Sequence, residues 1–110
     1  MDQVNKFQKC ILEVLRNHSH SSSCGESEIQ HVIDVKNNHY LLVHAGWNRK
    51  IRQYGCIIHM DIKNDKIWIQ HDGTEIGVAN ELVEMGISKD NIVLGYQHTN
   101  RRKYSGFAIY

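Results

Sequence analysis

At 110 residues the chain has room for one hydrophobic core and hardly two, so a single domain over residues 1–110 is expected. Apolar residues at 41% and charged residues at 23% are ordinary for a globular protein and exclude a disordered or fibrous chain. Lysine plus arginine number 13 against 12 acids, which excludes a strong global field drawing the protein onto nucleic acid or an anionic membrane.

No apolar run approaches the roughly 18 residues needed to span a bilayer, and the N-terminal segment mixes charges into an amphipathic pattern. Neither a signal peptide nor a membrane helix is expected. Cys10, Cys24 and Cys56 form an odd set without short repeated spacing, which fits a reducing cytoplasm better than a secreted disulfide scaffold. With no proline in the chain, the turns must rely on Gly, Asn, Asp and Ser.

Val4, Phe7, Ile11, Val14 and Leu15 recur at helical spacing after Asp2, an N-cap residue type, and predict an amphipathic helix over residues 3–17. His18 to Gly25 reads HSHSSSCG, small polar residues that compete with the backbone for hydrogen bonds and predict a mobile loop. From Glu28 to His71 the period changes to two, with polar punctuation at Lys36-Asn37-Asn38, Asn48-Arg49 and Asn64-Asp65, which predicts a four-stranded antiparallel meander. The first hairpin is compatible with a two- or a three-residue turn, and the side taken by His31 stays open.

Asn64-Asp65 is the informative turn, because a type I′ loop needs positive φ at both central residues and Asn and Asp tolerate it. Pairing Lys63 with Lys66 sets Ile62 opposite Ile67, Met60 opposite Ile69 and Ile58 opposite His71, an apolar face for the helices. The reverse face then carries Asp61 opposite Trp68 and His59 opposite Gln70, with Ile57 alongside. Through a two-residue Asn48-Arg49 turn, Leu41, Val43 and Ala45 join Tyr54 and Cys56 on the core face, while Tyr40, Leu42 and His44 go to the reverse.

Beyond the meander, Asp72-Gly73-Thr74-Glu75 predicts the start of a second helix with an apolar stripe of Ile76, Ala79, Leu82 and Val83 and an αL stop at Gly86. Ser88 can cap a further short turn before Ile92-Val93-Leu94, a run too brief to classify by period. The ending Phe107 to Tyr110 is compatible with a last strand. The expected class is therefore α+β: an N-terminal helix, a four-stranded antiparallel meander, a second helix packed on one face, and a short C-terminal helix or strand.

Among residues with chemistry, His18, His20 and Cys24 share one loop but match no metal-site spacing, and no metal or cofactor is expected. Cys56 reads as a small buried hydrophobe, and His59 points to the opposite face of an ideal strand, so the two do not form a nucleophile–base pair. No catalytic residue is assigned, and no Gly-x-Ser-x-Gly element appears. Asp72 or Thr74 reads as an ordinary helix cap rather than a phosphate site.

The basic groups Arg49, Lys50 and Arg52, and Arg101, Arg102 and Lys103, could grip a nucleic-acid backbone if they converge, although neither sits on a helix built for groove reading. The reverse face weighs most: Tyr40, Leu42, Ile57 and Trp68 framed by His44, His59, Asp61 and Gln70 make an amphipathic surface suited to a protein interface. The plain alternative is that the C-terminal segment covers this face within the same chain.

The stretch Gly46–Tyr96, with YGCIIHMDI followed by KIWIQHDGTE and ELVEMGI at its centre, resembles the XisI family, the fdxN element excision controlling factor proteins found mainly in cyanobacteria. The N-terminal helix and the ending RKYSGFAIY extend the likeness over nearly the whole chain. Departures fall in turns: Asn64-Asp65 where family members often have Asn-Gly, Ser88 where they often have proline, and His98-Thr99-Asn100 where they often have prolines.

The resemblance implies a role, with a companion XisH-like protein, in controlling the excision of a DNA element by a site-specific recombinase. Read with the residues, it gives a cytoplasmic, non-enzymatic accessory factor whose reverse sheet face serves an XisH-like partner or self-association as a homo-oligomer, a dimer being favoured. It transfers no catalytic residues. Direct nucleic-acid binding through the basic patches is the rival reading, and a metal- or small-ligand-binding domain is the third.

Overall fold

The computed structural model describes residues 2–19 and 28–110. The Ser/His loop expected after the first helix therefore lies, from residue 20 onward, outside the described residues. Helix α1 runs over Asp2–Asn17, and its stripe of Phe7, Ile11, Val14 and Leu15 is buried. Arg16 complements the last turn and pairs with Glu13 one turn earlier.

Strands β1 (Glu28–Asp34), β2 (His39–Asn48), β3 (Ile51–Lys63) and β4 (Lys66–Asp72) form the expected meander. The sheet carries one strand more, however: β5 (Ile92–Leu94) pairs parallel to β4, giving a five-stranded mixed sheet in the order β1-β2-β3-β4-β5. The strand returns parallel because helix α2 (Val78–Glu84) makes the crossover that a parallel pair needs.

α2 starts later than expected, and Ile76 stands 71% exposed rather than in the core. The Asp72 carboxylate accepts from the Thr74 and Val78 backbone N–H groups at 2.9 and 2.8 Å, so it spans the intervening turn and caps the first turn of α2 from a distance. Gly86, at φ 101°, supplies the expected αL stop. A short 3-10 turn over Lys89–Asn91 is capped by Ser88 as expected, and α3 (Thr99–Arg102) follows β5. The ending contributes a single parallel bridge, Val93 to Ala108, rather than a strand. Among the described residues no helix is long and apolar enough to cross a membrane.

Asn64 and Asp65 take φ 54° and 59°, the left-handed pair that a type I′ turn demands, and the pairs Lys63–Lys66, Ile62–Ile67, Asp61–Trp68 and Met60–Ile69 follow as expected. Beyond Met60 the register slips, because Gln70 is an extra residue on β4 that leaves His59 opposite His71 and Ile58 opposite Asp72. The first hairpin closes through residues 35–38, longer than either expected turn, with the Asp34 carboxylate accepting from the backbone and side-chain N–H groups of Asn37.

The largest correction concerns β2. The second hairpin turns at Arg49-Lys50, with Asn48 opposite Ile51, and a bulge on β3 leaves Ile57 unpaired between Leu42–Ile58 and Val43–Cys56. Val43, Ala45, Tyr54 and Cys56 do share a face, but the bulge makes it the reverse face. Tyr40 and Leu42, expected there, are fully buried beneath the helices opposite Met60 and Ile58, and His44 goes with them. Tyr54 is 72% exposed and Cys56 is exposed. The bulge is held from just past the end of β4, where the Gly73 N–H donates to the Ile57 carbonyl at 2.8 Å in a gap where a Cβ would lie 3.1 Å from that oxygen.

Burying Tyr40 requires a partner for its hydroxyl, and Asn38 Oδ1 accepts it at 3.0 Å while also accepting from Gln8 of α1 at 3.3 Å. His31 pairs with Leu42 on the helix side of the sheet yet is exposed, on the edge strand β1.

This register makes a direct prediction. Leu42→Ala is expected to cost about 2–5 kcal/mol in urea unfolding, whereas its neighbour Leu41→Ala, on the open face, costs about 1 kcal/mol or less; the reverse order would mean that β2 faces the other way. Asp65→Gly, which relieves a side chain from the left-handed region, is expected to raise stability by up to about 1 kcal/mol in the same assay.

Candidate functional site

The open face of the sheet is built by alternation along three strands. His39 on β2, Asp61 on β3 and Trp68 on β4 lie directly across from one another, with Asp34 of β1 beyond His39. His59 stands two residues before Asp61 on the same face. The side chains converge on one carboxylate: His39 Nδ1 lies 2.8 Å and His59 Nε2 2.9 Å from the same Asp61 oxygen, and Gln70 Nε2 donates to the other at 3.2 Å. Asp61 is the shielded centre, with 13% of its side chain exposed against 52% for His39 and 31% for His59.

The hydrogen bond to Asp61, reinforced by its charge, holds the His39 imidazole above its ordinary pKa, with Asp34 adding to the pull. On the same sheet, burial pushes the Cys56 thiol up even though its surface is open, while its Sγ donates to the Ile58 carbonyl at 3.3 Å. A protonated thiol is a poor nucleophile.

Trp68 is half-buried, with Lys63 Nζ 4.7 Å and Arg102 Cζ 5.2 Å from its ring centroid. Arg102 is fixed there by donating to the carbonyls of Gln97 and Ile109 at 3.0 and 3.1 Å. Lys66 likewise reaches the Tyr110 carbonyl at 2.5 Å. The C-terminal segment thus covers the Trp68 end of the open face and leaves the rest uncovered. The indole Nε1 is buried and meets no acceptor among the described residues.

Of the residues expected on this face, the structure brings His59, Asp61, Trp68 and Gln70 together, sets Ile57 half-buried at the bulge, and removes Tyr40, Leu42 and His44 to the helix side. His39 is the member that sequence reasoning missed. Tyr40-Leu42-His44 and Leu41-Val43-Ala45 are comparably apolar alternations, so hydrophobicity alone does not choose between them.

Arg49, Lys50 and Arg52 surround the β2–β3 tip, where Arg52 lies 5.4 Å from the Trp47 ring and 5.8 Å from that of Tyr54. Arg101, Arg102 and Lys103 sit at the Trp68 end, nine residues along β3 or roughly 30 Å away, so the two basic groups do not converge. His18, expected in a loop with His20 and Cys24, pairs instead with Glu81 of α2 at 2.6 Å, tying the helices together; His20 and Cys24 lie outside the described residues.

The fold and this face define a small α+β protein whose sheet is covered by helices on one side and presents a histidine-flanked carboxylate on the other. The chain belongs to the XisI family: the family's profile, described as XisI protein, matches residues 1–109. It is similar to the crystal structure of a XisI-like protein from Anabaena variabilis ATCC 29413, with 37% identity, a TM-score of 0.90 and coverage of 96% of this chain and 97% of that one. It is also similar to the fdxN element excision controlling factor XisI from the same organism, with 29% identity, a TM-score of 0.83 and coverage of 98% and 99%. No curated protein matches the chain.

The His39–Asp61 pair makes stability depend on pH. The raised pKa of His39 means that the pair stabilises the fold fully below the unfolded imidazole value, about 6.5, and that this contribution is lost as pH rises through the folded value. Asp61→Asn is expected to bring the His39 titration midpoint down toward the ordinary value, read from its imidazole resonances in an NMR pH series; an unchanged midpoint would show that Asp61 does not cause the shift.

Proposed function

We propose that this chain is a non-enzymatic accessory protein in the control of DNA-element excision, and that it acts by binding another protein through the open face of its sheet. Membership of the XisI family supports the biological half of this reading, since one similar protein is an fdxN element excision controlling factor. The physical half rests on one observation: Val32, Trp47 and Tyr54 are 47%, 44% and 72% exposed on a sheet face that, among the described residues, no helix covers, with Leu41 and Val43 half-buried between them.

An apolar band of this kind bordered by polar groups is the anatomy of a protein interface. The border here is the His59–Asp61–Gln70 cluster, joined to the band through the His59–Leu41 pair. A partner resembling XisH or a second copy of the chain would fill the face, and a dimer is the favoured assembly. Direct nucleic-acid binding draws less support, because the two basic groups lie far apart and Arg52 and Arg102 are stacked on the chain's own aromatic rings.

Charging the band tests the reading without disturbing the core. Val32→Glu with Tyr54→Glu is expected to abolish co-purification of a co-expressed XisH-like protein or to shift the oligomer to monomer mass in light scattering, with far-UV circular dichroism unchanged. If both the mass and the co-purification survive, the face is not the interface.

A further inference from the structure

Three donors of a metal-ligating type converge at the edge of the apolar band. One ligand atom from each of His39, His59 and Asp61 lies within 4.8 Å of the other two, and His39 Nδ1 and His59 Nε2 both meet the same Asp61 oxygen. We propose that His39, His59 and Asp61 form a binding site for a divalent transition metal of the zinc type, with a fourth coordination position open to solvent.

The backbone does most of the arranging. His39 and Asp61 are a direct cross-strand pair, and His59 precedes Asp61 by two residues on the same strand face, so the three donors stand on rigid, paired strands rather than on loops. Imidazole nitrogen and carboxylate oxygen are the donors that zinc accepts, at about 2.0–2.1 Å each, which puts tetrahedral donors ~3.4 Å apart. The hydrogen-bonded separations of 2.8 and 2.9 Å would open by about half an ångström on loading. His39, the most exposed of the three, has the freedom to make that move.

The surroundings suit a cation. Gln70 holds the second Asp61 oxygen, leaving the first to the two imidazoles, which is the outer support that orients a ligating carboxylate. Two cations of the same face, Lys63 and Arg102, are drawn onto the Trp68 ring. Two neutral imidazoles and one carboxylate carry a single negative charge, so a divalent ion would leave the loaded cluster singly positive. Loading must displace the hydrogens by which both His39 Nδ1 and His59 Nε2 are held on Asp61, so protons compete with the metal and affinity falls as pH falls. The assignment does not depend on the partner-binding reading, since the donors come from one chain and the apolar band takes no part.

The test is titration of the untagged protein with Zn²⁺ alone, by calorimetry or by competition with a chromophoric chelator. One ion per chain is expected. Affinity should drop at least about a hundredfold in His39→Ala with His59→Ala and in Asp61→Asn, and about tenfold in Gln70→Ala, while His98→Ala, a surface histidine, stays at the parent value.

A second readout uses Trp68, which faces Asp61 across the β3–β4 pair. In a Trp47→Phe background all tryptophan emission comes from Trp68, and Co²⁺ should quench it saturably at one equivalent, an effect lost in the double histidine variant. The absence of saturable Zn²⁺ binding, or binding that persists in the double histidine variant, would overturn the assignment. Asp61→Asn preserves side-chain shape and keeps the test decisive even if the double variant fails to fold.

Discussion

The bulge at Ile57 governs this protein. Strand side chains alternate with a period of two, so one unpaired residue in β3 reverses the facing of everything beyond it relative to a regular ladder. On the Ile58 side, β2 is locked by Tyr40 and Leu42 into the core beneath α1; on the Cys56 side, β3 turns Cys56 and Tyr54 to the open face. The Gly73 N–H bound to the Ile57 carbonyl makes the bulge part of the sheet's hydrogen bonding rather than a defect in it.

The same register assembles the polar cluster. With Met60 and Tyr40 opposed in the core, their strand neighbours Asp61 and His39 are opposed on the other side, and a carboxylate in the central strand meets histidines from β2 and β3 and a glutamine from β4. The second bulge, at Gln70, frees that residue from regular pairing while its amide reaches Asp61. A small sheet thereby places a shielded carboxylate among solvent-facing imidazoles, and its hydrogen bond and charge are what raise the His39 pKa.

The two sides of the sheet do different work. The helix side carries the apolar burial, with one contiguous core from Phe7 to Leu94. The open side is divided: the C-terminal segment closes the Trp68 end through Arg102, and the β1–β3 end keeps Val32, Trp47 and Tyr54 in water. The chain is a member of the XisI family, whose fold recurs at a TM-score of 0.90 in a XisI-like protein from Anabaena variabilis, and the proposed docking surface is that uncovered end.

Local signals carried much of this in the residues themselves. The α1 stripe, the left-handed Asn64-Asp65 turn, the apolar face of β3 and β4 and the Gly86 stop were all legible, because each depends on contacts within a few residues or across one tight turn, and the family likeness was legible from residue identities along nearly the whole chain. His59, Asp61, Trp68 and Gln70 could be placed on one face for the same reason. What the chain did not announce was the facing of β2, and with it the burial of Tyr40 and Leu42 and the presence of His39 in the cluster. Both alternations of HYLLVHAGW are apolar, so the choice fell to α1 packing from far away in sequence and to a bulge whose only local mark is Gly55, an isolated strand glycine that does not fix the bulge position. The parallel placement of β5 was likewise decided by the crossover of α2, a long-range pairing that no local period encodes.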